Sequence, residues 1–227
     1  MSNADIESIP NLDAVLEYAK VMASTEELHP DLVPYVSDGI LGKQLRHPLV
    51  YQFGMIGNGW ANAYYLQKIG DVKKALENKK YDSYVWLHER PYRIEAFQEI
   101  EHLLSDTAYW KLVADIWTDT ENQWQNYEEW KQLLSSKRSS RHYLMNEEEF
   151  NLLQSLPENV VIYRGCQKGI NENGLSWTLD KSIAQWFSNR LERDGEPIVL
   201  ERTVSKSDII AVFTGRGESE VIWEEKK

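Results

Sequence analysis

At 227 residues and 42% hydrophobic, the chain can bury one large core or two small ones and is too apolar for disorder. Its formal net charge of −11 gives no long-range pull on phosphate backbones, which disfavours general nucleic-acid binding and anionic membranes. No apolar run approaches the ~18–20 residues that span a bilayer, and the single cysteine, Cys166, can form no internal disulfide.

The first residues read as a loose tail. From Asn11, apolar side chains at Leu12, Val15, Leu16, Ala19 and Met22 fall at helical spacing. The stretch from Ser24 to Pro34 breaks that pattern, and Leu49 to Tyr65 is a mixed apolar run whose Gly57-Asn58-Gly59 marks a turn or a tight helix contact. Asp71 to Asn78 predicts a short helix, and Tyr84 to Leu87 a helix or a strand ended by Arg90-Pro91. Ile94, Phe97, Ile100, Leu103 and Leu104 share one helical face. Ser105-Asp106-Thr107 then offers an N-cap for a helix carrying Tyr109, Trp110, Val113, Ala114 and Trp117. Trp124, Tyr127, Trp130, Leu133 and Leu134 give the next stripe. A polar connection from Ser135 to Ser140 leads to a short helix from Met145 to Leu153.

After Pro157 the composition turns β-branched. Strands are expected at Val160 to Tyr163, Ile198 to Val204, Ile209 to Phe213 and Val221 to Trp223. One helix interrupts them, capped by Asp180, with Ile183, Ala184, Phe187 and Leu191 inward and an Asp194-Gly195 turn behind it. The expected class is therefore α+β: a mostly helical region over 1–144 and a β-rich region over 145–227, with the two able to pack as one domain.

Three polar features stand out in that last part. Tyr163-Arg164-Gly165 ends a strand. Ser176-Trp177-Thr178 precedes the helix. Glu218-Ser219-Glu220 enters the final strand, where alternation would send Glu218 and Glu220 to one face.

In this order the three motifs, with Ala184-x-x-Phe187 between the last two, resemble the arginine–serine–glutamate clade of mono-ADP-ribosyltransferases. The resemblance covers Val160 to Trp223. It implies a split β-sheet core binding NAD as substrate, with no metal. Arg164 would hold the NAD phosphates and nearby ribose. Ser176 would orient Glu220, Thr178 would support the strand, and Glu220 would act on the nicotinamide ribose. Glu218 would meet the acceptor, an arginine of a protein target in enzymes with glutamate there. Only twelve residues separate Arg164 from Ser176, where many relatives place a helix and more chain. Should another cation replace Arg164, the candidates are Arg190, Arg193, Arg202 and Arg216. Phe213 and Trp177 are candidate stacking surfaces, with core packing as their ordinary fate.

Two alternatives stay open: an NAD glycohydrolase using water as acceptor, and an inactive binding or inhibitor protein on the same scaffold. With no secretory leader read, the expected location is cytoplasmic, including a host cytoplasm after delivery, which suits a phage or bacterial effector. Other motifs point to less. His88-Glu89-Arg90-Pro91 lacks the second histidine of a zinc helix. Cys166 has no base partner in sequence and reads as a spectator. Lys137, Arg138, Arg141 and His142 form a small basic cluster that reads as solvated surface.

Overall fold

The structure, a computed structural model, describes residues 26–40, 42–53, 57–190, 195–215 and 217–225. The helix expected from Asn11, together with Leu191, Arg193, Asp194 and Arg216, lies outside them. The described chain is mixed α and β, with seven α-helices and two antiparallel sheets. It divides between His102 and Leu103 into two compact units. The unit boundary therefore precedes Leu144, where the change of composition set it. The Trp-rich helices group with the later strands.

The first unit contains a sheet that the sequence did not announce. Strands β1 (Val36–Gly39), β2 (Gly42–His47) and β3 (Val50–Phe53) form an antiparallel meander. Helix α1 (Asn58–Glu77) follows as twenty continuous residues rather than a short helix from Asp71. Gly70 inside it costs about 1 kcal/mol relative to Ala, too little to end a helix whose other face is packed. The Gly57-Asn58-Gly59 run starts this helix, with Gly57 as N-cap. Helices α2 (Tyr81–Leu87) and α3 (Arg93–Ile100) complete the unit, and Tyr84, Val85, Ile94, Phe97 and Ile100 are buried. A second cluster joins Leu32, Leu45, Leu49, Val50, Ala61 and Tyr65.

In the second unit, α4 (Asp106–Asp119) starts where the N-cap signal placed it: Ser105 Oγ accepts from the Ala108 amide at 3.2 Å. Helix α5 (Tyr127–Leu134) buries Trp130, Leu133 and Leu134, and Trp117 meets Trp130 edge-on at 4.9 Å. Rings of this size each remove roughly 150–250 Å² from water, so this pair anchors the helical part. Leu103, expected on the buried stripe, is exposed, because the helix gives way to a 3-10 turn over Glu101–Leu103. Helix α6 (Glu147–Ser155) precedes the sheet.

That sheet has the order β6-β4-β5-β8-β7, from β4 (Asn159–Gln167), β5 (Ser176–Thr178), β6 (Pro197–Ser205), β7 (Ala211–Phe213) and β8 (Glu220–Ile222). Helix α7 (Lys181–Asn189) lies between β5 and β6 in the chain. Register fixes the faces: Trp177 opposes Val221, and Val221 opposes Val212, so these three share one face. They build the core with Leu153, Val160, Ile162, Val204, Ile209 and Trp223. Helix α7 crosses β4 so closely at Gly165 that a Cβ there would collide with the Ala184 carbonyl. No helix among the described residues is long and apolar enough to cross a membrane.

Candidate active site

The centre of the site is a break in the sheet. Strands β4 and β6 pair at nine positions, whereas β4 and β5 pair at one, Tyr163 with Thr178. Beyond that pair the strands part, and the guanidinium of Arg164 enters the gap. Its Nη1 donates to the Ser176 carbonyl and its Nε to the Asn171 carbonyl at 3.0 Å. Arg164 thus takes over an acceptor that a continued ladder would have used. Nη2 donates to nothing among the described residues. Burial pushes the Arg164 pKa below the usual arginine value, against the opposing pull of Cys166, Glu220 and Tyr127.

The short chain between Arg164 and Ser176 folds into a compact loop. The Ile170 amide bonds the Gln167 carbonyl at 2.9 Å, and the Gly169 amide bonds Glu172 Oε1 at 2.7 Å. Gly174 lies under the guanidinium, and a Cβ there would overlap Arg164. Twelve residues are enough because the loop returns directly, with no helix inserted.

Ser176 and Glu220 meet across this region. Ser176 Oγ donates to Glu220 Oε1 at 2.5 Å, and Glu220 is only 6% exposed. Thr178 is arranged differently. Its hydroxyl donates to the Glu218 carbonyl at 2.6 Å and accepts from the Asp180 amide at 3.1 Å, so it holds the backbone that leads into β8. The alternation expected for Glu218 and Glu220 does not hold, because β8 begins at Glu220 and Ser219 has a left-handed φ of 45°. Both glutamates nevertheless line one cleft.

That cleft measures about 610 Å³ and is lined by Arg164, Ser176, Thr178, Glu218 and Glu220 together with residues from α7 and the start of α5. Ile183, Ala184 and Phe187 form one wall. Trp124 and Tyr127, 5.1 Å apart, contribute another. Sequence spacing assigned these two aromatics to the buried stripe of α5. The chain instead forms a 3-10 turn over Gln123–Asn126, which rotates Trp124 away from the core and leaves it 44% exposed. The signal for this was Asn122, which precedes the turn, and Asn126, which ends it, both with non-helical backbone.

The remaining candidates separate cleanly. Arg190 lines the cleft. Arg202 is instead turned to Glu225 at 3.3 Å. Phe213 is buried and outside the cleft lining. Trp177 backs the cleft but is core, 4% exposed, its indole N–H donating to the Gly174 carbonyl and its ring edge-on to Trp223 at 5.2 Å. Cys166 also lines the cleft, and burial pushes its thiol pKa up against the opposing pull of Arg164, which disfavours the thiolate. In the basic cluster, Arg138 is structural: it reaches the Leu104 carbonyl at 2.9 Å and Asp106 at 3.3 Å. Among the described residues, no group of three or more His, Cys, Asp or Glu side chains could hold a metal ion.

No protein-family model, no curated protein and no solved structure matches this chain.

Proposed function

We propose that the chain is an NAD-dependent mono-ADP-ribosyltransferase that moves ADP-ribose to an arginine of a protein target and releases nicotinamide. The observation that carries this reading is the convergence of Arg164, Ser176 and Glu220 on one cleft, with Ser176 Oγ bonded to Glu220 Oε1 at 2.5 Å. Within the five-stranded sheet, β4 and β5 part after a single bridged pair, which supports a cleft at that point of the kind a split-sheet NAD site would use.

The chemistry assigns each group a task. The bond from ribose C1′ to the nicotinamide nitrogen breaks, and a bond from C1′ to an acceptor guanidinium nitrogen forms. Nicotinamide leaves with the electron pair of the broken bond. Positive charge grows on the ribose ring in the transition state, as in glycoside cleavage. Glu220, oriented by Ser176, supplies a fixed carboxylate for that charge and for a ribose hydroxyl. Among the described residues the Arg164 Nη2 donates to no acceptor, and its guanidinium is held by two carbonyls, which suits it to a phosphate oxygen. Glu218 orients the acceptor and takes the proton that its guanidinium loses on substitution. A cleft of about 610 Å³ is within the usual range for a ligand of this class.

The test is incubation of the purified chain with NAD labelled in its adenosine half and a protein lysate, reading both labelled protein and free nicotinamide. Labelling by wild type and none by Glu220→Gln is the expected result. If wild type releases no nicotinamide and labels nothing, the reading fails. Nicotinamide release without labelling assigns water as acceptor and makes the chain a glycohydrolase.

A further inference from the structure

Among the described residues two carboxylates are buried, Glu220 and Glu149, each 6% exposed. They bracket the connection from β7 to β8. A buried carboxylate is costly unless its oxygens are hydrogen-bonded. Those of Glu149 are bonded to two different elements. Oε2 accepts from the Asn146 amide at 3.0 Å, completing a capping box in which Asn146 Oδ1 accepts from the Glu149 amide at 2.9 Å. A capping box engages only one carboxylate oxygen. Oε1 instead accepts from the Thr214 amide at 2.9 Å, 65 residues away, at the residue that follows β7.

The other end of the connection has its own clamp. Thr178 Oγ1 donates to the Glu218 carbonyl, and the Leu179 amide donates to the Ser219 carbonyl at 3.1 Å. Between these anchors Gly217 and Ser219 adopt φ of 68° and 45°, and the Gly217 amide returns to the Thr214 carbonyl at 2.9 Å. A backbone with two left-handed residues persists where its surroundings fix it.

We infer that Glu149 is a positioning residue: it pins Thr214 so that the β7–β8 connection presents Glu218 and Glu220 in fixed register with Ser176. The inference rests on the transferase reading for its catalytic consequence, and on the hydrogen bonds alone for the clamp. Glu149→Gln keeps the shape but turns an amide donor toward one of two backbone donors. Asn146→Ala removes the cap side chain while leaving Glu149 to Thr214, and so controls for loss of helix stability.

Amide exchange and NAD kinetics on the full chain decide the matter together. In Glu149→Gln, exchange at Thr214 and Gly217 rises about tenfold or more, whereas Asn146→Ala leaves it within about twofold. In Glu149→Gln the kcat for nicotinamide release falls about tenfold with the NAD KM within about twofold, because among the described residues Glu149 makes no hydrogen bond to the strands that carry Arg164 and Ser176. Unchanged exchange in Glu149→Gln overturns the clamp. Faster exchange with unchanged kcat overturns its catalytic role. Equal losses of kcat in both variants, tracking their melting temperatures, make Glu149 merely structural. A wild-type chain that leaves NAD intact defeats the transferase reading and the catalytic half of this inference, while the exchange result still decides the clamp.

Discussion

Ser176 and Glu220 are joined side chain to side chain although 44 residues separate them, because β5 and β8 are neighbours paired in antiparallel register. Glu220→Gln keeps the size of the group and removes its charge. It is expected to lower kcat for nicotinamide release by about 10²–10³-fold, the range seen when one preorganised electrostatic contact is lost at a transition state. Ser176→Ala leaves the carboxylate in place but less fixed, and about a tenfold loss is expected. The measurement is initial-rate nicotinamide release at saturating NAD. Equal rates for wild type and both variants would remove Glu220 from the mechanism.

Arg164 links the loop to β5 through two carbonyls, so its side chain is structural, and on the transferase reading it would bind NAD as well. Lysine cannot reproduce a planar fork that bonds Asn171, Ser176 and a ligand together. Arg164→Lys should weaken NAD binding by about tenfold to hundredfold and lower the melting temperature. Gly174→Ala separates the two roles, since the new Cβ would displace the guanidinium without altering its charge. It should reduce NAD affinity in calorimetry, and an unchanged dissociation constant would show that the guanidinium position does not matter.

The extent to which this site could be read in the sequence depended on the range of the interactions. Ser176 and Glu220 open their strands, whereas Arg164 lies inside β4, which runs on to Gln167 past the Tyr163-Arg164-Gly165 expected to end it; the local signals around them are strong: β-branched runs, a capped helix, a turn. Ser105 and Asp180 cap the helices they were expected to cap. The first sheet was not legible, because β1 and β2 read Val-Ser-Asp-Gly and Gly-Lys-Gln-Leu-Arg-His, polar segments whose strand state comes from pairing rather than composition. Trp124 was misassigned because its spacing suits a helix that in fact begins only at Tyr127. Glu149 could be read as part of a helix start, but its bond to Thr214 depends on the packing of α6 beside β7. Local signals fix local states, and they carry no information on which distant backbone group a side chain will meet.

Glu218 and the Trp124 wall should govern the acceptor half of the reaction. On the transferase reading, Glu218→Gln removes the proton acceptor for an incoming guanidinium while leaving Glu220 and Arg164 intact. Protein labelling should fall about tenfold or more with nicotinamide release retained, shifting the product toward free ADP-ribose. Trp124→Ala removes an exposed ring that contributes little to the core, so folding should survive and any effect should fall on KM values. Chromatographic separation of labelled protein from free ADP-ribose gives the partition directly. A partition that neither variant moves would place the acceptor elsewhere.

The first unit carries a pH dependence of its own. His47 is buried between Tyr35 and Tyr65, with ring centroids at 4.6 and 4.9 Å, and its Nδ1 accepts from the Leu49 amide at 3.0 Å. Burial lowers its pKa below the ordinary 6.5, opposed by Asp31 and assisted by His88, whose own pKa burial also lowers. The unfolded chain therefore takes up protons near pH 6.5 that the folded chain refuses. Stability is full above that pH and falls as the pH drops through it. Tyr65 acts at the other end, its pKa pushed up to about 12 chiefly by burial and then by its bond to Asp31 at 3.0 Å. The unfolded tyrosine ionises from its ordinary 10.0 upward while the folded one stays neutral, so stability falls again between pH 10 and 12. Urea denaturation followed by tryptophan fluorescence should thus give midpoints that are highest between these limits. His47→Phe, which keeps a ring in the aromatic cluster and cannot protonate, should flatten the acid limb relative to wild type. Identical acid limbs in the two proteins would assign the loss to groups other than His47, His88 among them.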